Sequence, residues 1–295
     1  MATTMERGAS RTRPARRLPT AWLGLVPFFA FTFLFIIAPV LYLVAGSFLN
    51  NEGQTTLQNY VDLTSENTQR SFLLSIEISV VTAIAGGIGG FLLAYAVIAG
   101  GLPRVLRTAM MTFCGVASNF AGVPLALAFL FTIGQLGIIT VLLKNFGIDP
   151  YASGFTIYSK VGLEIVYLYF QLPLMVLIIA PAIDGLKPEW REAAENMGAS
   201  SYDYWRRVAL PILMPTILGS MILLFGNAFG AYATAYQLTS GTLPIVPVII
   251  GAQIRGDVLH NPGLGYAMAM GMVVVMAVSI GLYTLLQRRA ERWRR

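Results

Sequence analysis

Charge, sulfur and imidazole are all scarce in this chain. Only 12% of its 295 residues are charged, about half of the roughly 25% usual in soluble domains. With 56% hydrophobic residues, a water-soluble domain is excluded and an integral membrane protein is left. The single cysteine, Cys114, lies inside an apolar stretch, which excludes a disulfide framework and a thiolate metal cluster. The single histidine, His260, sits beside Asn261-Pro262 in a connection that offers no further ligands. No stretch holds a paired acid and base, a Ser-His-Asp set or a metal-ligand cluster, so no enzyme and no cofactor are expected. A nucleotide loop is missing as well. Gly86-Gly87-Ile88-Gly89-Gly90 lacks the Lys-Ser/Thr that should follow and the strand that should precede it. The Gly86/Gly90 spacing reads instead as a small-xxx-small face for close helix packing. If ATP drives this protein, another chain binds it.

What charge there is collects at the ends. Five arginines lie within residues 1–17 and five more within residues 288–295. Each cluster adjoins an apolar run, so the positive-inside rule places both termini in the cytoplasm and demands an even number of spans. Nucleic-acid binding, the rival reading of the arginines, lacks the aromatic interleaving it would need. The apolar run Trp22 to Phe48 is too long for a signal peptide and has no small-residue cleavage site after it, so it reads as a retained span.

A crossing needs about 20 apolar residues, and six stretches qualify: about 22–49, 72–99, 108–133, 161–184, 211–238 and 263–287. The expected fold is all-α, a polytopic six-helix domain over 22–287 between basic tails at 1–21 and 288–295. Pro27 and Pro39 should kink the first span. Residues 50–71 are net negative, as expected outside, whereas Gly100 to Arg107 carries arginine without acid, as expected inside. The run Leu136 to Leu143 is too short to cross and is expected to lie as a helix at the outer surface. Residues 239–262 read as a nearly neutral outer loop.

Polar residues within spans mark pathways or internal partners. Glu77 lies near the outer end of the second span and has both readings open. Glu164 and Asp184 read as interfacial. Ser118-Asn119 precedes Gly122 and Pro124, a breakable segment of the third span. Asn227, Tyr232, Thr234, Tyr236 and Gln237 make a polar-aromatic stripe in the fifth. These groups either line a pathway or satisfy one another across packed helices. The shortage of ionisable groups counts against a proton- or ion-coupled carrier.

The most informative stretch is polar, between the fourth and fifth spans, over 185–210. Pro188 suits a first helical turn. Trp190, Ala193, Ala194 and Met197 recur at helical spacing as one small, mostly apolar face. Gly198 falls where a left-handed C-terminal residue is expected. Ser200 or Ser201 can cap a second short helix, with Asp203 in its first turn and Arg206-Arg207 in its last. Pro211 then opens the next span. The local forecast is a stiff helix–Gly–helix elbow, which in isolation could be an ordinary amphipathic loop.

Glu192-Ala193-Ala194, Gly198, Val208 and Leu210-Pro211, at these spacings, resemble the EAA coupling loop of type I ABC-importer permeases. Val208 stands where that pattern has isoleucine. Within the family, the layout, the arginine-rich head and the Asn227–Tyr236 region are most similar to spermidine/putrescine-type permeases. The resemblance implies a multi-pass subunit of a bacterial inner membrane. It implies three partners: a dimer of ABC ATPase subunits, a second permease subunit, and an extracytoplasmic solute-binding protein. It also implies roles. Glu192 would offer charge to a basic partner, Ala193 and Ala194 would permit close approach, Gly198 would set the turn, and Leu210-Pro211 would pass motion to the fifth span. Glu77, Asn119, Asn227, Tyr232 and Tyr236 are the residues expected along the substrate path. Sulfate, ferric iron, thiamine and aminoethylphosphonate permeases are related branches, and a stand-alone channel or carrier is the rival from outside the family.

Overall fold

A computed structural model describes residues 24–255 and 260–292. The arginine-rich head, Asp257 and the last three residues lie outside them. The described residues form helices and no strands beyond an isolated bridge between Leu49 and Thr55. In chain order these are α1 (Val26–Thr32), α2 (Ala38–Gly46), α3 (Gln58–Asp62), α4 (Glu66–Ala99), α5 (Arg104–Asn119), α6 (Val123–Ile133) and α7 (Ile138–Asn145). There follow α8 (Lys160–Asp184), α9 (Pro188–Asn196), α10 (Ser201–Tyr204), α11 (Leu210–Phe229), α12 (Ala233–Thr239), α13 (Val246–Arg255) and α14 (Pro262–Arg292).

Six helical stretches among the described residues are long and apolar enough to cross a membrane. The first joins α1 to α2 through a π-turn at Phe33–Ile37. Its cause is Pro39, which has no N–H to give and whose ring would strike the carbonyl four residues back. Widening the turn removes that clash, so the expected kink takes the form of a π-turn. The second span is α4, which starts at Glu66, earlier than expected. At 34 residues it is roughly 50 Å long, well beyond a bilayer core of about 30 Å. Its first turns, with Glu66 and Arg70 paired, therefore project into water.

The third span needs a decision. Hydropathy alone would join α6 to α7 as Val123–Asn145. A turn parts them, however: the Gly137 N–H returns to the Gly134 carbonyl at 2.8 Å. It is α5 that packs along α8, so α5 plus α6 make the third crossing, broken at Phe120–Gly122. The residues after Gly134 form α7, a separate eight-residue helix.

At the centre stands α8, the most buried of the six spans. It packs against α4, α5 and α11. The glycine run in α4 permits this approach. A Cβ on Gly86 would lie 2.8 Å from Gln171 Cβ, and one on Gly90 would lie 2.5 Å from Met175 Cβ. Where the backbones are this close, Gln171 donates to Thr82 Oγ1 at 2.8 Å, an interhelical bond of a kind measured at about 0.6–2 kcal/mol in membranes. Ile78, Leu125, Leu163, Tyr167, Ala228 and Leu238 form one buried cluster, and Ala83, Met175, Ile179, Leu213 and Leu224 a second nearer the elbow.

One expectation needs correcting. Residues 239–262 are not a plain loop, because α13 occupies ten of them. The reason is Val246-Pro247-Val248, an apolar start that is buried. The Val246 N–H is accepted by the buried Ser75 Oγ of α4 at 2.8 Å, which removes the cost of burying an unpaired donor.

Candidate functional site: an elbow joined to a broken span

The bend of the elbow is capped on both sides. At the close of α9, Gly198 has φ of +78°, a backbone that costs other residues roughly 1–2 kcal/mol. The Gly198 N–H returns to Glu195 at 2.9 Å and the Ala199 N–H to Ala194 at 3.0 Å. That pair of bonds is the Schellman arrangement, and it absorbs carbonyls the helix end would leave open. Ser200 then caps α10. Its hydroxyl accepts the Asp203 N–H at 3.2 Å, while the Asp203 carboxylate accepts the Ser200 N–H at 3.3 Å. Only Ala199 separates the two motifs, so the bend has little freedom.

The alanines part company. Ala194 is 5% exposed and packs with Tyr204 and Ala209 as the elbow's own small core. Ala193 is exposed, with Trp190 and Met197. The expectation that both alanines face a partner is corrected for Ala194: the Gly198 turn folds α10 back over it. Glu192 is exposed. Its neighbour Arg191 donates to Glu195 at 2.9 Å, and that bond to a carboxylate pushes the guanidinium pKa further above its ordinary value. Lys187 lies 5.9 Å from the Trp190 ring centre. The outer face of α9 thus mixes charge with an aromatic and a thioether.

The sequence forecast placed a boundary at Leu210-Pro211, but α10 runs into α11 without one. A π-turn at Trp205–Ala209 joins them, with the Leu210 N–H reaching back five residues to the Trp205 carbonyl. The cause is the one seen before Pro39, here Pro211 and the carbonyl of Arg207. From the Ser200 cap to Phe229 the chain is one rod. Trp205 anchors it to α4 through edge-on contacts with Tyr95 (4.7 Å) and Phe91 (6.4 Å). Nothing in the hydrophobic pattern singles out Trp205; an aromatic inside an Arg-rich turn was the available signal. Nearby, Arg107 of α5 pairs with Asp184 at the end of α8.

The rod's other end is broken. Helix α11 stops at Phe229, and α12 starts at Ala233. The third span breaks at the same depth of the packing. The Gly122 N–H donates to Thr234 Oγ1 at 2.8 Å, and Tyr167 of α8 donates to the Ala231 carbonyl at 2.8 Å. Thr234 and Tyr167 are 2% and 1% exposed. Irregular backbone inside a membrane persists only where protein satisfies it or water reaches it. Protein meets this need here: Thr234 and Tyr167 satisfy the breaks from the buried side, while Asn119, Asn227 and Tyr236 are exposed beside them. Asn119 donates back to Gly115 at 2.9 Å. Tyr232 and Tyr236 stack, with ring centres 5.4 Å apart and planes 24° apart.

Glu77 does not join this group. Lys160, at the start of α8, pairs with it and lies 3.8 Å from Glu164. The acid thus has an internal partner, which the sequence left open because Lys160 is far away along the chain.

The family of binding-protein-dependent transport system inner membrane components matches residues 93–292, which include the elbow and the whole broken span. The chain belongs to that family. A probable sulfate transport system permease of Nephroselmis olivacea is 24% identical over 228 residues, 75% of this chain and 76% of that one. The spermidine/putrescine transport system permease PotB of Haemophilus influenzae is 26% identical over 279 residues, 89% of this chain and 94% of that one. A crystal structure of a bacterial ABC transporter that imports alginate contains a chain of the same fold. The TM-score is 0.74 at 18% identity, covering 91% of this chain and 95% of that one. Family and fold together make this chain a type I ABC-importer permease, a transport subunit with no catalytic role of its own.

Proposed function

We propose that the elbow over 185–210 is gripped by a separate ATPase subunit and turns the fifth span as a lever. The carrying observation is the unbroken helix from the Ser200 cap to Phe229, which ends where two broken spans meet. ATP would close the ATPase dimer, the elbow would follow, and displacement at Gly230–Tyr232 would open the path to the other side. One chain supplies half of such a path, so a second permease subunit completes it. An extracytoplasmic binding protein delivers the solute; the alginate importer has been crystallised with a substrate-bound periplasmic protein. The elbow and both termini lie on the cytoplasmic side of a bacterial inner membrane, following the arginine distribution.

For the solute we favour a polyamine-like cation. Stacked Tyr232 and Tyr236 beside the breaks offer aromatic faces, which attract cations by about 0.5–2 kcal/mol each. The likeness to PotB runs nearly end to end. Sulfate is the second reading, because sulfate permeases are comparably similar and the amides of Asn119 and Asn227 can donate to an anion. Aminoethylphosphonate, thiamine and ferric iron are further members of the wider group.

The test is reconstitution in vesicles with and without ATPase subunits and binding protein. Uptake of labelled spermidine that needs ATP and both partners supports the reading. Uptake without any ATPase subunit would replace it with a stand-alone carrier, and uptake of sulfate alone would overturn the cation assignment.

A further inference from the structure

Helix α13 carries a glycine in its middle, Gly251, where glycine is among the poorest helix formers. The space beside it explains the choice. A Cβ at this position would lie 2.9 Å from Tyr232 Cε2, against about 3.5–4.0 Å for an optimal contact between carbon atoms. The Tyr232 hydroxyl would be 3.1 Å away. Tyr232 therefore rests on bare backbone. Its stacking partner is seated in the same way. A Cβ on Gly241 would lie 3.3 Å from Tyr236 Cε2, and Gly241 has φ of +74°, a region open chiefly to glycine. Each ring of the pair is thus touched by a glycine of the segment that follows it in the chain.

Helix α13 is itself held in place. Val246, Pro247 and Val248 are buried, and Ser75 Oγ of α4 accepts the Val246 N–H at 2.8 Å. Helix α14 comes so close that a Cβ on Gly265 would lie 3.0 Å from Ile254 Cγ1 and 3.2 Å from Gln253 Cβ. A side chain added at residue 251 must therefore push the ring rather than the helix, and a ring pushed off α13 disturbs its stack on Tyr236. We infer that Gly251 is a positioning residue for solute recognition: by lacking a side chain it seats Tyr232 on α13, and so fixes the aromatic face that the two rings present. The inference rests on the proposal that this pair faces the solute, and it adds to that proposal a residue from a different helix.

The test compares Gly251→Ala and Tyr232→Ala, singly and together, in the transporter reconstituted with its ATPase subunits and binding protein. In open space, alanine in mid-helix would raise the thermal midpoint. Here Gly251→Ala should lower it, and Tyr232→Ala should remove that loss, since the two residues are in contact. Gly251→Ala should also raise KM for spermidine about fivefold, the worth of one cation–aromatic contact, with kcat and basal ATP hydrolysis unchanged. Added to Tyr232→Ala, it should alter KM no further. A midpoint that holds or rises in Gly251→Ala would overturn the inference, as would changes in midpoint or KM that persist without the Tyr232 ring. So would a KM unmoved by Gly251→Ala while Tyr232→Ala raises it, because the contact would then be structural only. If Tyr232→Ala itself leaves KM for both spermidine and sulfate unchanged, the error lies in the placement of the path, and the inference falls with it.

Discussion

The two ends of the fifth span are built in opposite ways. At the elbow end, a π-turn absorbs Pro211 and keeps α10 and α11 continuous. At the other end, α11 stops outright at Phe229, and the chain resumes as α12 only after Gly230–Tyr232. One end is continuous and the other is interrupted. The contrast is physical: the elbow end keeps its helix continuous through the π-turn, whereas at the break the Ala231 carbonyl accepts from a side chain of another helix, Tyr167 of α8. In the lever we propose, a rod joined to its handle and loose at its tip would move the tip when the handle is pushed.

The sharpest way to break this comparison is at the handle. Gly198→Val puts a β-branched residue at φ +78°, where strain of at least about 1–2 kcal/mol is expected. Substrate-stimulated ATP hydrolysis by the assembled transporter should fall more than tenfold while the protein still reaches the membrane. Gly198→Asn, which tolerates left-handed backbone, should retain most of it. Unchanged hydrolysis with valine would mean the bend carries no motion.

At the tip, Thr234→Val leaves the Gly122 N–H without its acceptor, a loss of about 1–3 kcal/mol where the group is buried. A fall of several degrees in the thermal midpoint is expected, together with a changed KM for uptake. A lower midpoint with KM intact would leave the break purely structural. Tyr236→Ala should raise KM for spermidine severalfold and leave basal ATP hydrolysis unchanged, because the ring is exposed and outside the rod's packing. An equal change in both rates would place it in the lever instead. The smallest effect should come from Ser200→Ala, which removes a helix cap worth about 1 kcal/mol. Coupling should loosen, read as more basal hydrolysis per solute imported, with uptake reduced less than twofold.

The breaks themselves were only half legible. Ser118-Asn119 followed by Gly122 and Pro124 announced a weak point in the third span, and the structure breaks there. That it meets the fifth span's break through Thr234 joins residues more than a hundred positions apart, and no local pattern encodes that distance. Glu77 shows the same limit. Its charge was visible, but its partner Lys160 was not, so pathway and ion pair could not be separated. Ala194 was misplaced because helical periodicity identifies a face without saying whether a partner or the chain itself covers it.

By itself the sequence determined the class, the elbow and the turn. Twelve per cent charge and six long apolar runs leave a polytopic helical membrane protein, since lipid admits no other home for them. Gly198, Ser200 and Asp203 act within a few residues of one another, so their motifs can be read from spacing alone. Only the tertiary structure decided that the elbow and the fifth span form one rod and that its free end meets a second broken helix. Prolines reveal where a helix is stressed, but whether it bends, widens into a π-turn or parts depends on which neighbouring side chains are close enough to satisfy the freed backbone.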